Sequence, residues 1–224
     1  MTYQENYQKW LDFAELPAYL RDELVAMDEK TKEDAFYTNL EFGTAGMRGL
    51  IGAGTNRINI YVVRQATEGL AQLIESKGEE AKKRGVAIAY DSRHFSPEFA
   101  FESAQVLAAH GIKSYVFESL RPTPELSFAV RHLHTFAGIM VTASHNPAPF
   151  NGYKVYGEDG GQMPPADADA LTDYIRAIES PFTVQLADLE ESKANGLIEV
   201  IGENVDAEYL KEVKGVNINQ DLIN

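Results

Sequence analysis

Two stretches carry residue types suited to nucleophilic or anion-handling chemistry: Thr142-Ala143-Ser144-His145-Asn146-Pro147, and Phe42-Gly43-Thr44-Ala45-Gly46-Met47-Arg48-Gly49. Ser144 follows a buried-strand pattern and precedes a His-Asn-Pro turn, so its hydroxyl stands outward on a stiff backbone, a position that suits a nucleophile or a phosphoryl carrier. Thr142, Ser144 and Asn146 are equally at home satisfying turn hydrogen bonds, and the pattern alone leaves both readings open. A Ser-His pair also invites a hydrolase reading, but the G-x-S-x-G elbow is absent. Neighbours on an extended backbone point opposite ways, so no direct relay between Ser144 and His145 is expected.

In the second stretch the glycines let backbone approach an anion, and Arg48 offers a planar fork to phosphate oxygens. The segment matches neither G-x-G-x-x-G nor a Walker A loop, and a structural glycine turn is the competing reading. Lys154, in Asn151-Gly152-Tyr153-Lys154, can exchange a proton with a hydroxyl if burial or a neighbouring cation lowers its pKa. It is also the kind of lysine that guards a strand edge. Arg93, in Asp91-Ser92-Arg93, either organises a pocket or pairs with an acid such as Asp91. The acidic pairs Asp167-Ala168-Asp169 and Glu158-Asp159 lack calcium-loop spacing and read as solvated acids.

Positioning these residues requires a sheet. Short apolar runs at 86–90, 114–117 and 137–141 alternate with amphipathic stretches, a helix near 97–110 and another after Pro124, which is an α/β pattern with buried, largely parallel strands. Three polar sequences, 91–93, 121–124 and 142–147, then fall at strand ends, where such sheets place their ligand crevice. Residues 151–156 read as a further strand and 165–178 as a helix. Before the glycine-rich segment, Trp10, Leu11, Phe13, Leu20, Leu24 and Val25 are spaced for apolar faces of two or three helices, with Pro17 starting the second. Residues 181–205 read as turns and short strands, and 206–213 as a short helix.

Composition narrows the classes. The 224 residues carry a net charge of -14, which repels nucleic acid and anionic membranes, so a phosphorylated ligand needs a local basic pocket. The absence of cysteine excludes thiolate catalysis and Cys-ligated metals. The first residues lack a signal-peptide pattern, and no apolar stretch is long enough for a membrane span, so a cytoplasmic location is expected.

The order and spacing of Phe42 to Gly49, Thr142 to Pro147 and Asn151 to Lys154 resemble the N-terminal domain of α-D-phosphohexomutases, with a helical N-terminus similar to the bacterial phosphoglucomutase and phosphopentomutase branch. The resemblance implies a three-layer α/β/α domain with a mixed sheet over residues 1–205, including a helical extension over 1–40. Residues 206–224 would then be a linker and the start of a second domain. It implies that Ser144 is phosphorylated and offers Mg²⁺ one ligand through its phosphate. Arg48 and Lys154 would lie beside it and His145 would help form the loop, the four making the catalytic set, and Thr44, Arg93 and Asn146 would join Arg48 in binding substrate phosphate. The implied reaction interconverts glucose 1-phosphate and glucose 6-phosphate with glucose 1,6-bisphosphate as activator. Pentose or mannose phosphates are alternative substrates, and a non-catalytic binding domain that kept the loop is a third reading. The family's acidic metal loop, sugar loop and second phosphate loop belong to domains II to IV. The polar tail therefore reads as a chain cut inside something larger, inactive alone, with exposed faces open to dimerisation.

Overall fold

The computed structural model describes residues 2–43 and 46–216. It opens with three short helices, α1 (Tyr3–Asp12), α2 (Ala18–Ala26) and α3 (Glu29–Phe36). Thr2 and Glu5 close a reciprocal capping box on α1, and Asp28 caps α3 through the Thr31 N–H. Trp10 meets Phe36, Tyr61 and Phe182 edge-on, with ring centroids 5.9, 5.5 and 5.3 Å away, and so ties these helices to the body of the domain. Val25, expected on the apolar face, is 69% exposed, because α2 buries only Leu20 and Leu24.

The sheet contains β1 (Met47–Leu50), β2 (Val86–Tyr90), β3 (Ser114–Phe117), β4 (Ala137–Val141), β5 (Phe150–Tyr156) and β6 (Ile198–Ile201), in the order β1-β5-β4-β2-β3-β6. The run β4-β2-β3-β6 is parallel, whereas β5 is antiparallel to β4 and β1 is antiparallel to β5. The sheet is therefore mixed and largely parallel. In β2, Val86, Ile88 and Tyr90 enter one core while Ala87 and Ala89 enter the other, which is why the strand reads as an unbroken apolar run.

On one face lie α4 (Ile60–Ser76), α6 (Ser96–Ala109) and α8 (Pro165–Ala177), with the shorter α5 (Glu79–Arg84) and α9 (Leu189–Ala194) at the periphery. On the other, α7 (Thr123–His132) packs on β2 and β4, and α10 (Glu203–Gly215) packs on α7. Helices α5 and α9 go beyond the sequence pattern, and β6 is one of the short strands expected over 181–205; only Ile198 and Ile201 are buried in it, so period-two alternation is missing. The expected division at residue 205 falls inside α10. That helix is fastened to the sheet domain at Asp206, whose carboxylate accepts two hydrogen bonds from Arg121 at 2.7 and 2.6 Å.

Tyr153 fixes the register of β5. Its hydroxyl lies 3.0 Å from Thr67 Oγ1 on α4, which also reaches Ser103 Oγ on α6 at 3.2 Å, and all three residues are buried. With Tyr153 and Val155 committed to that core, Gly152, Lys154 and Tyr156 face the α7 side. A one-residue slip would drive Lys154 into the apolar core, so the register is strongly specified. Among the described residues, no helix is long and apolar enough to cross a membrane.

Candidate active site

The antiparallel pair β1 and β5 brings the glycine-arginine segment beside the serine loop. Gly43 and Gly46 exchange two backbone hydrogen bonds, at 3.2 and 2.8 Å, and so fold the segment back on itself. Gly46 has φ +79°, and a Cβ there would collide with the Tyr153 carbonyl and sit 3.0 Å from Lys154 Cα. Glycine is thus required both by conformation and by contact. Across the ladder Arg48 pairs with Gly152, which places its side chain on the same face as Lys154. Gly152 is the point of closest approach: a Cβ would stand 2.5 Å from the Thr142 carbonyl and 2.7 Å from that of Met47. The bare backbone there lets the serine loop and β1 flank one residue of β5.

The serine loop leaves the end of β4. Thr142 N–H donates to the Gly152 carbonyl at 3.0 Å, and the chain then turns sharply, with Ser144 at φ +54°. A left-handed serine costs on the order of 1–2 kcal/mol, so the surroundings must hold it there. Thr142 Oγ1 accepts the Ser144 N–H at 2.9 Å and donates to Asp91 Oδ2 at 2.5 Å. Asp91 Oδ1 accepts the Arg93 N–H at 3.0 Å and the Ser96 hydroxyl at 3.1 Å, which fastens the carboxylate to the start of α6. Arg93 Nη2 donates to the carbonyls of Ser144 (2.9 Å) and Asn146 (2.6 Å), and Nη1 to those of Pro147 (2.9 Å) and Phe150 (2.8 Å). Arg48 Nη1 donates to Asn146 Oδ1 at 2.7 Å and joins the edge strand to the same loop.

Ser144 is exposed, with Oγ 3.4 Å from His145 Nδ1. This corrects the expectation that the two side chains diverge: the backbone at Ser144 is left-handed, not extended, and turns both toward solvent together. The contact is long for a hydrogen bond.

Charge concentrates here despite the acidic whole. Burial, with the Arg48 guanidinium adding to it, lowers the Lys154 pKa below the usual lysine value. Of the residues singled out by sequence, Ser144, His145, Asn146, Arg48 and Arg93 meet at this loop, and Lys154 lies beside Arg48; Thr44 lies outside the described residues. Arg93, expected to bind substrate phosphate, turns its guanidinium into the loop instead. Asp91 and Thr142 were visible in sequence as members of strand-end turns, but nothing there shows that they touch. Among the described residues no three His, Cys, Asp or Glu side chains gather as a metal site, and Asp91 is engaged by Thr142, Ser96 and Arg93. The donor set around Ser144 therefore does not by itself fit a magnesium ion. The acids expected to be solvated are surface groups: Asp167 and Asp169 are exposed, and Glu158 pairs with Arg84 at 2.7 Å.

The chain is 41% identical over 197 residues to a phosphoglucomutase of Staphylococcus saprophyticus, covering 88% of this chain and 35% of the relative. It is 38% identical over 214 residues to a phosphoglucomutase of Staphylococcus epidermidis, covering 96% and 37%. The chain thus spans about a third of the length of these curated relatives. In fold it resembles the open form of parafusin, a phosphoglucomutase of Paramecium, with a TM-score of 0.63 at 18% identity over 81% of this chain and 36% of that one. Residues 39–182 match the family described as phosphoglucomutase/phosphomannomutase, alpha/beta/alpha domain I, and the chain belongs to that family.

Proposed function

We propose that this chain is the phosphoserine-carrying domain of a cytoplasmic phosphoglucomutase, with Ser144 Oγ as the atom that holds and passes the phosphoryl group. The observation that carries the reading is an exposed serine held in a left-handed turn, on a loop that Arg48 grips through Asn146, with Lys154 beside Arg48. In the forward half-reaction the bond between phosphorus and Ser144 Oγ breaks as a bond forms to the free hydroxyl of glucose 1-phosphate. The hydroxyl proton passes to Lys154 Nζ, whose pKa burial and the Arg48 charge shift in the direction that favours the neutral amine. Glucose 1,6-bisphosphate results, turns over, and returns its other phosphoryl group to Ser144 as Lys154 gives the proton back.

Arg48 supplies fixed positive charge to the transferring group, and its bond to Asn146 keeps that charge aimed at the loop. His145 lies against Ser144 Oγ and helps to shape the turn. Bound Mg²⁺ would neutralise charge on the transferring phosphoryl group; this chain offers it the phosphate on Ser144, and the remaining ligands must come from outside the described residues. The choice of glucose rests on the names of the Staphylococcus relatives.

The test is a coupled assay of glucose 1-phosphate conversion with the full-length protein that contains this chain, primed with glucose 1,6-bisphosphate. Phosphate should map to Ser144 by mass spectrometry, and Ser144→Ala should abolish turnover. A Ser144→Ala protein that retains wild-type turnover would overturn the reading.

A further inference from the structure

We infer that Arg93, Asp91 and Thr142 form a positioning clamp that sets the direction of Ser144 Oγ, and that Arg93 acts as a positioning residue and not as a phosphate ligand. The inference deepens the proposed function and rests on it for its kinetic consequences; its structural part does not.

Donor counting supplies the first argument. An arginine side chain has five N–H donors and no acceptor. In Arg93 the two on Nη1 are taken by the Pro147 and Phe150 carbonyls and the two on Nη2 by those of Ser144 and Asn146. Nε faces Asp91 Oδ2 at 3.5 Å. The four terminal donors, the planar fork that grips phosphate, are thus all committed, and Nε is in ion-pair contact with Asp91. To bind phosphate through that fork, Arg93 would have to release a carbonyl of the loop that carries Ser144.

Proton direction supplies the second. The Asp91 carboxylate only accepts, so the single hydroxyl proton of Thr142 must point to it. The lone pairs of Thr142 Oγ1 are thereby left for the Ser144 N–H. The two sides of Ser144 are thus held by one connected system: its N–H through Thr142 and Asp91, its carbonyl through Arg93, with Arg93 and Asp91 joined to each other. A left-handed serine on an exposed loop has few other restraints. Lysine cannot replace this arginine, because a point charge with three donors cannot reach four carbonyls arranged around a planar fork.

The experiment compares Arg93→Lys, Thr142→Val and Thr142→Ser in the full-length protein, reading kcat and KM for glucose 1-phosphate together with amide hydrogen exchange over residues 143–150. Arg93→Lys is expected to lower kcat by about 10- to 100-fold, the scale set by a misplaced reacting group, with KM within about twofold. Exchange over 143–150 should rise. Thr142→Val should behave likewise, and Thr142→Ser, which restores the hydroxyl, should return kcat toward wild type; this pair decides the matter should Arg93→Lys fail to fold. A KM raised about tenfold or more with kcat preserved in Arg93→Lys would make Arg93 a phosphate ligand and overturn the clamp. Equal impairment in Thr142→Val and Thr142→Ser would overturn it as well. If Ser144→Ala retains turnover, the proposed function fails instead, and the exchange measurement still decides whether the clamp holds the loop.

Discussion

Replacing Glu125 by glutamine should flatten part of the pH dependence of stability between pH 5 and 8. Glu125 sits in the first turn of α7, 5% exposed, and faces Asp206 of α10, whose carboxylate is taken by Arg121. Burial, reinforced by the hydrogen bond to Asp206 and by its charge, pushes the Glu125 carboxyl up to about 7 against the pull of Arg121. Asp206 moves the other way, chiefly because it accepts hydrogen bonds from Arg121, so the proton of the pair rests on Glu125. Because the folded-state pKa is raised, the folded chain binds this proton more tightly than the unfolded one. The contribution is complete below about pH 4.5 and fades as pH rises through about 7. The separation between those values corresponds to about 3 kcal/mol as a ceiling. Because the two carboxyls titrate as a pair, about 1–2 kcal/mol is the expected loss. Glutamine imitates the protonated form at every pH. Urea unfolding at pH 5, 6, 7 and 8 should therefore show wild-type stability falling by about that amount relative to Glu125→Gln. His110, whose pKa is raised, is common to both proteins, and its titration drops out of the difference. Parallel curves would refute the shared-proton argument.

Gly152→Ala should destabilise by about 3 kcal/mol, the upper end of overpacking costs, because both nearby atoms are backbone carbonyls; an unchanged melting temperature would show that the three strands can separate cheaply. His110 lies between Glu68 (2.9 Å) and Glu75 (3.1 Å) of α4, and although burial opposes its charge, the two carboxylates outweigh that and raise its pKa. The stabilisation is fully present below about pH 6.5 and is lost as pH rises through the raised value. His110→Gln should be less stable than wild type at pH 5.5 and converge with it in alkaline solution. An equal gap at pH 5.5 and pH 9 would sink that assignment.

Much of the architecture was legible because burial on both faces leaves a plain mark: Val86 to Tyr90 and Ala137 to Val141 read as continuous apolar runs, and each led to a polar strand end. The parallel run of β2, β3 and β4 followed from their alternation with helices, but the reversal of β5 was not legible, since period-two alternation is the same in either sense; it is set by the tight return through residues 142–149. Strand β6 was legible only as one of the short strands expected over 181–205, without bounds, because Glu199 and Val200 are both exposed; α9 was missed because six residues are too few for a helical stripe to stand out. At the site, the types and order of Arg48, Ser144 and Lys154 were visible, but the approach of His145 was misjudged. The turn chemistry of Thr142 to Pro147 does not announce a left-handed residue. The saturation of Arg93 lay beyond any sequence pattern, because its four carbonyl partners are backbone groups whose identity no side chain encodes.

The helical layer formed by α7 and α10 packs over β2 and β4, on the face where Arg48 and Lys154 of β1 and β5 are only part-buried and Ser144 is exposed. An anion at Ser144 therefore keeps much of its hydration, and at about 4 Å a cation is worth about 1 kcal/mol to it in water but about 4 kcal/mol at an effective dielectric constant near 20. The same side chains would thus act several times more strongly once another surface came down over them. The chain carries its charges in a weakened state, and whatever covers β1 and β5 sets how much they count.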